Sequence, residues 1–108
     1  MAVVSLTITK LKPDISIEDA RKVYDDSVIP AVKGQKGFLG GWLMVSEDRD
    51  EGIALALWET KEDAVNFEKG GLYQEQVKKF VAFIKSMEGR KYYDVNSEIV
   101  LPKEIEAV

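Results

Sequence analysis

The segment from Ile53 to Trp58 reads IALALW and is apolar at every position. Because successive side chains of a strand point to opposite faces, one face carries two small residues and a tryptophan, Ala54, Ala56 and Trp58. The other face carries Ile53, Leu55 and Leu57. A strand that is apolar on both faces has to be covered on both. The chain must therefore fold into a sheet that is buried from two sides.

The segment from Phe38 to Val45 predicts a second strand of the same kind. Regular alternation places Leu39, Leu43 and Val45 on one face and Phe38, Trp42 and Met44 on the other. Gly40 and Gly41 leave room for a bulge or for a close approach to the backbone. The polar stretch 46–52 between these strands predicts a hairpin loop.

The first strand is predicted over 3–10. Strict alternation places Val4, Leu6 and Ile8 on one face and Ser5, Thr7 and Thr9 on the other. A fourth strand is predicted over 90–100. The residues 101–108 form a C-terminal tail that lacks the pattern of an element.

Two helical regions are predicted between the strands. Ser16 and Thr60 are N-cap residues, and each is followed three positions later by an aspartate, Asp19 or Asp63, as in a capping box. Pro30 is expected to kink or end the first helix near 27–29. After the glycines at 70–71, a further helical piece is predicted over 72–88.

The resulting order, β-α-β-β-α-β, is typical of an α+β, ferredoxin-like domain that spans residues 1–108. In this fold an antiparallel four-stranded sheet carries both helical regions on one face. The other sheet face would then be a large exposed apolar patch. We expect it to be covered by a second copy, so that two sheets pack into a homodimer.

The composition of the chain argues against several classes of binding partner. The chain has 108 residues, 45% hydrophobic and 31% charged, with a net charge of −4. This balance argues against nucleic acid as a partner. There is no apolar run near the roughly 20 residues that span a membrane, and the N-terminus does not resemble a signal peptide. We expect a cytoplasmic protein without a membrane partner.

The chain contains no histidine and no cysteine. The commonest general base and the commonest transition-metal ligands are therefore missing. The acidic loop, with Glu47, Asp48, Asp50 and Glu51, lacks the ligand spacing of a calcium loop. No metal site and no cofactor are predicted.

Ala54 and Ala56 beside Trp58 leave unfilled volume on one face of the third strand. If that face lies under the helices, a cavity forms there, with Trp58 as a wall. Helix side chains such as Phe67 and Phe80 either line this space or fill it, since protein interiors are close-packed. The small volume suits an apolar or aromatic ligand.

Further candidates for contact with a ligand are Tyr24, Trp42, Tyr73 and Tyr93. A place at the edge of the core is the more common role of such amphipathic residues. Arg90, at the predicted start of the fourth strand, either attracts an anionic substrate or lies in solvent at a strand end.

The segment GFLGGWLMVSEDRDEGIALALWETKEDAVNFEKGG and the amphipathic helix after it resemble the antibiotic biosynthesis monooxygenase family of dimeric α/β barrels. The shared features are a glycine and an aromatic residue at the start of the second strand (Gly37, Phe38), a hairpin, and an apolar strand that ends in Trp58. A polar cap at Thr60 and a helix follow. The resemblance implies a homodimer and a pocket between the sheet and the helices.

Some members of this family oxidise aromatic polyketides with molecular oxygen and without metal or flavin. The resemblance therefore implies a cofactor-independent monooxygenase acting on a small aromatic or quinol-like substrate, with Trp58 in the site. Other members degrade haem with this tryptophan, a histidine on the second helix and an asparagine on the first strand. Here Val77 occupies the histidine position and the first strand has no asparagine, which argues against haem degradation. A non-catalytic binding or structural homodimer is the alternative.

Overall fold

The computed structural model describes residues 2–100 and contains four strands and four helices. The elements are β1 (Val3–Leu11), α1 (Ile17–Val23), a π-helical turn (Tyr24–Val28), α2 (Ile29–Lys33), β2 (Phe38–Val45), β3 (Glu51–Trp58), α3 (Lys61–Lys69), α4 (Gly71–Lys79) and β4 (Ile84–Asp94). The strands form one antiparallel sheet in the order β2-β3-β1-β4. This is the predicted ferredoxin-like arrangement. The predicted tail, 101–108, lies outside the described residues.

Both predicted helix starts are confirmed. The Ser16 hydroxyl accepts a hydrogen bond from the Asp19 backbone N–H at 3.1 Å. The Thr60 hydroxyl accepts one from the Asp63 backbone N–H at the same distance. Each cap satisfies one of the N–H groups that the first turn of a helix leaves without a partner. None of the helices within residues 2–100 has the length and apolar character needed to cross a membrane.

The first helix does not end at Pro30. It passes through the π-helical turn, in which the Ile29 N–H donates to the Tyr24 carbonyl five residues earlier. The chain then continues into α2, where Pro30 occupies the first turn. Proline is tolerated at that position because it has no N–H to leave unpaired. The irregularity therefore lies in the turn before the proline and covers Tyr24–Val28.

The predicted helix over 72–88 is too long. Helix α4 ends at Lys79, and β4 already begins at Ile84 and ends at Asp94, not at residue 100. Ile84 pairs with Leu11 and Met87 pairs with Thr9, so the end of β1 holds this segment in the sheet. The spacing of Val81, Ile84 and Met87 suits a helix, but backbone pairing with β1 determines the structure here.

The two sheet faces differ in an unexpected way. The hydroxyl-bearing face of β1, with Ser5, Thr7 and Thr9, lies under the helices. The apolar face of β1 points away from them. Its neighbours across the strands form apolar rows on this outer face, Ile8 with Ile53 and Met44, and Leu6 with Leu55 and Trp42.

A register shift between Phe38 and Gly40 changes the predicted faces of β2. Phe38 joins Leu43 and Val45 on the helix side, whereas Leu39 and Trp42 lie on the outer face. The bulge anticipated at the glycine pair causes this change, because an extra residue in one strand reverses the alternation beyond it.

Candidate functional site

A cavity of about 160 Å³ lies between the sheet and the helices. Seven of the residues for which the sequence predicts a contact with a ligand line it, Trp58, Ala54, Ala56, Tyr24, Phe67, Tyr73 and Arg90, whereas the candidates Trp42 and Tyr93 do not. Phe67 and Phe80 also line the space and do not fill it. The volume beside the two alanines therefore exists, and the role of these residues in binding stays a prediction.

One wall of the cavity is a chain of four aromatic rings. Phe38 packs edge-on against Trp58 with ring centres 5.3 Å apart, Trp58 lies 5.4 Å from Phe67, and Phe67 packs edge-on against Tyr73 at 5.6 Å. Edge-on and tilted pairs at these distances are the favourable geometries for aromatic rings. The wall holds Trp58 firmly, and its side chain is 1% exposed.

The aromatic wall ends at Arg90. The guanidinium carbon lies 5.0 Å from the centre of the Tyr73 ring and 5.8 Å from that of Tyr92. The guanidinium donates to Glu68 and to the hydroxyl of Thr7, and the hydroxyl of Tyr92 donates to the second oxygen of Glu68. Arg90 is thus in the middle of β4 and partly buried, so the alternative of a solvated strand end is wrong.

The guanidinium stays charged in this environment. Burial is the largest single effect and disfavours the charged form, but the hydrogen bond to Glu68, the charge interactions with Tyr73 and Glu68, and the hydrogen bond to Tyr92 together outweigh it. The pKa of Arg90 is therefore raised above its ordinary value. A guanidinium has five N–H donors, and two of them are used by Thr7 and Glu68. The Nε atom is buried and has no hydrogen-bond partner within residues 2–100. Arg90 therefore lines the cavity with a guanidinium whose donors are only partly used by the described residues.

Trp58 also has an unsatisfied donor. Its indole Nε1 is buried and makes no hydrogen bond within residues 2–100. Buried polar groups are almost always paired in native proteins, and an exception calls for an explanation. Two such donors, on Trp58 and Arg90, belong to residues that line the same cavity.

The cavity floor carries a row of hydroxyls from β1. Ser5 is 2% exposed, Thr7 accepts from Arg90, and Thr9 donates to the carbonyl of Gly52 at 3.0 Å. Above the floor, the hydroxyl of Tyr24 approaches Gly41 so closely that a Cβ there would lie 3.2 Å from it. The glycine pair of β2 thus admits a tyrosine from the π-helical turn.

Tyr24 gives a testable dependence of stability on pH. Burial, followed by the nearby Asp25, raises the pKa of Tyr24 above the ordinary value of 10.0. A raised pKa in the folded state means that Tyr24 contributes stability below pH 10, and that this contribution is lost as the pH rises through the folded-state pKa. We expect Tyr24→Phe to lose less stability than the native chain between pH 9 and 11, as measured by urea unfolding.

Tyr93→Phe is the matched control, since it removes an exposed hydroxyl on the outer face. It should follow the native chain across this range. A Tyr24→Phe variant with the same alkaline loss as the native chain would contradict the role of Tyr24.

Sequence reasoning missed Glu68, Thr7 and Tyr92, which organise Arg90. Tyr92 lies two positions after Arg90 on β4, so the period of a strand would have placed both on one face. Nothing local indicates the contact with Glu68, 22 positions earlier in the chain. Trp42 and Tyr93 do not line the cavity: they lie on the outer face, 52% and 49% exposed.

The acidic loop forms a hydrogen-bonded turn. The Asp48 carboxylate accepts from the Ser46 hydroxyl at 2.7 Å and from the Asp50 N–H at 3.0 Å, and Lys10 pairs with Asp50 at 2.8 Å. The Ser46 bond lowers the pKa of Asp48 below its ordinary value. Within residues 2–100, no three acidic side chains are placed to hold a metal ion together.

Solved structures show what this architecture is similar to. A proposed antibiotic biosynthesis monooxygenase from Bacillus cereus is 19% identical, with a TM-score of 0.66 over 94% of this chain and 98% of that one. The cofactor-independent oxygenase SnoaB from Streptomyces nogalater is 11% identical, with a TM-score of 0.72 over 91% and 96%. Rv0793 from Mycobacterium tuberculosis is 13% identical, with a TM-score of 0.71 over 93% and 100%.

This chain has the antibiotic biosynthesis monooxygenase fold. The sequence itself matches no family profile and no curated protein. The antibiotic biosynthesis monooxygenase fold predicted from the order of motifs is thus confirmed at the level of structure.

Proposed function

We propose that the protein is a cofactor-independent monooxygenase acting on a small aromatic substrate in the cavity between the sheet and the helices. The observation that carries the proposal is the juxtaposition of an aromatic wall with a charged guanidinium that has unused donors. The likeness in fold to SnoaB, a cofactor-independent oxygenase, supports the reaction class. The aromatic wall would hold a ring, and Arg90 would stabilise an oxyanion on it.

The cavity volume indicates the size of the substrate. A protein cavity of about 150 Å³ accommodates benzene, and the cavity here measures about 160 Å³. A single-ring phenol therefore fits without rearrangement, whereas a fused three-ring substrate requires the walls to move. The substrate class proposed is a monocyclic, electron-rich phenol or quinol.

The chemistry balances with oxygen as the only co-reactant. In a substrate whose carbon opposite the oxyanion carries hydrogen, that carbon forms a bond to dioxygen and the peroxide takes up a proton. Loss of water together with the ring hydrogen then leaves a para-quinone. The substrate supplies four electrons; one oxygen atom enters the product and the other leaves as water. The chain would contribute an anion-stabilising donor at Arg90 and a dry, aromatic enclosure around Trp58.

Oxygen consumption with phenols tests the role of Arg90. Arg90→Met should reduce turnover of phenol by about 10- to 100-fold, because a hydrogen bond to a charged group contributes about 1.5–3 kcal/mol. Arg90→Lys keeps the charge but not the planar, forked guanidinium. Its turnover of phenol should lie between the rates of the native chain and of Arg90→Met.

Arg21→Met is the control, since Arg21 is an exposed helix residue paired with Glu18. It should match the native rate. Thermal unfolding of each variant separates loss of activity from loss of fold. Turnover that is equal in a folded Arg90→Met variant would refute the role of Arg90, and a native chain that consumes no oxygen with any single-ring phenol would refute the reaction.

A non-catalytic binding protein is the second candidate, and one observation favours it. Within residues 2–100, the side chains lining the cavity include no carboxylate, and the chain has no histidine. A general base that would deprotonate a phenol is therefore not provided by the commonest groups. Thermal shift with phenol but no oxygen consumption would identify a binding protein.

The residues that line the cavity do not support haem degradation as the function. Val77, at the position where the haem-degrading enzymes have a histidine, lines the cavity and offers no ligand atom to iron. Added haemin is expected to leave its Soret band unshifted.

We further propose that a second copy of the chain covers the outer sheet face. This face exposes four large apolar side chains, Leu39, Trp42, Met44 and Tyr93, at 41–52% each. Apolar patches of this kind on a soluble protein mark interaction sites. The apolar rows on β1, β2 and β3 are continuous across the sheet, as a self-complementary sheet-on-sheet contact requires.

A further inference from the structure

Gln76 is a buried polar residue that the proposed chemistry does not use. It lies on α4, is 8% exposed, and lines the cavity. Its amide oxygen accepts a hydrogen bond from the Ser27 hydroxyl at 2.9 Å. The amide nitrogen, Nε2, makes no hydrogen bond within residues 2–100. The Gln76 side chain is largely buried, but its amide nitrogen is not fully enclosed by residues 2–100. An accessible N–H₂ group on a residue that lines a cavity can donate to an acceptor atom of a ligand.

The orientation of this amide is set by its neighbours. The ammonium group of Lys79 donates to the oxygen of Ser27. Since an ammonium group has only donors, this contact favours the Ser27 hydroxyl directing its hydrogen elsewhere, towards Gln76. The relay from Lys79 through Ser27 to Gln76 therefore places the amide oxygen against Ser27 and leaves the N–H₂ group unpaired.

The π-helical turn brings Ser27 to this position. The turn also supplies Tyr24 and Val28 to the lining of the cavity. Single π turns inside α-helices occur often at functional sites, because the additional residue redirects side chains. Here it places the Ser27 side chain within hydrogen-bond distance of α4, 49 positions further along the chain.

Two residues with unused donors then line the cavity from different elements. Arg90 lies on β4 of the sheet, and Gln76 lies on α4, one of the helices that cover the sheet. We propose that Gln76 Nε2 is a specificity-determining donor that binds a second oxygen atom of the ligand. The ligand class is a single aromatic ring with two oxygen substituents, such as a benzenediol. This inference rests on the function proposed above and specifies the substrate of the same site.

Binding under nitrogen tests this inference without turnover. Isothermal titration calorimetry would compare phenol with the three benzenediols on the native chain. The benzenediol with the matching spacing should bind about 5- to 10-fold more tightly than phenol, the range expected for one neutral hydrogen bond. Gln76→Leu, which keeps the size of the side chain, should abolish this preference and leave the affinity for phenol within about 2-fold.

Gln74→Leu is the matched control, because Gln74 is an exposed glutamine on the same helix. It should retain the preference. Ser27→Ala removes the group that orients the amide and should reduce the preference without abolishing it. If the native chain shows no preference for any benzenediol, or if Gln76→Leu retains it, the inference is refuted.

The two proposals fail in distinguishable ways. A Gln76-dependent preference in a protein that consumes no oxygen refutes the monooxygenase and supports the binding role of Gln76. Oxygen consumption with phenol together with a preference unaffected by Gln76→Leu supports the monooxygenase and refutes the role of Gln76.

Discussion

Trp58→Ala should lower the free energy of unfolding by about 3–5 kcal/mol, the range found when a buried large aromatic side chain is truncated. The indole is 1% exposed and packs between Phe38 and Phe67. Both neighbours are themselves part of the cavity wall, so the space left by the indole joins a void that already exists and is not refilled by collapse. Small domains have about 5–15 kcal/mol of total stability, so the loss is a large part of it. Urea unfolding measures it.

Val81→Ala serves as the control for truncation, since Val81 is 60% exposed in the turn after α4. It should change the free energy of unfolding by less than about 0.5 kcal/mol. Trp58→Phe keeps an aromatic ring and is the variant for activity measurements. If Trp58→Ala were as stable as Val81→Ala, the aromatic wall would not be a structural element of the fold.

Ile53→Lys should convert the proposed homodimer, whose mass would be about 24 kDa or twice the chain mass of 12.1 kDa, into a monomer. Ile53 lies in the outer face between Ile8 and Met44 on the neighbouring strands. In a sheet-on-sheet interface, its replacement would bury an unpaired ammonium group, which costs several kcal/mol. In a monomer the same ammonium group reaches water. Light scattering at micromolar concentration measures the mass directly.

Ile29→Lys is the matched control, because Ile29 is a 40% exposed isoleucine on the helical side of the protein. It should leave the dimer intact. A native chain that is a clean monomer at micromolar concentration would refute the proposed interface, and a dimer that survives Ile53→Lys would place the interface elsewhere.

The strands and caps were predictable because they depend on neighbouring residues. The alternation of Ala54, Ala56 and Trp58 grouped these residues on one face, and this face lies under the helices. The spacing from Ser16 to Asp19 identified a helix start. These patterns depend on the period of a strand and on hydrogen bonds within one turn. Local sequence contains that information in full.

The predictions that were wrong or incomplete concern structure that depends on contacts between distant parts of the chain. The segment that begins at Ile84 has a helical spacing and becomes a strand because β1 extends far enough to pair with it. The environment of Arg90 arises from Thr7 and Glu68, which three different elements bring together with it. The sequence predicted the position of the bulge near Gly40. It did not predict that the bulge moves Phe38 to the opposite face of β2.

The π-helical turn has a consequence for how such sequences are compared. A π turn contains one residue more than an α turn, so it absorbs a single inserted residue inside a helix while the flanking segments keep their register. A homologue with an uninterrupted α-helix here would be one residue shorter between Ser16 and Gly34. An ungapped alignment would then match every residue after Val28 to the wrong neighbour, Trp58 and Arg90 included, and would hide a correspondence that the three-dimensional structure retains.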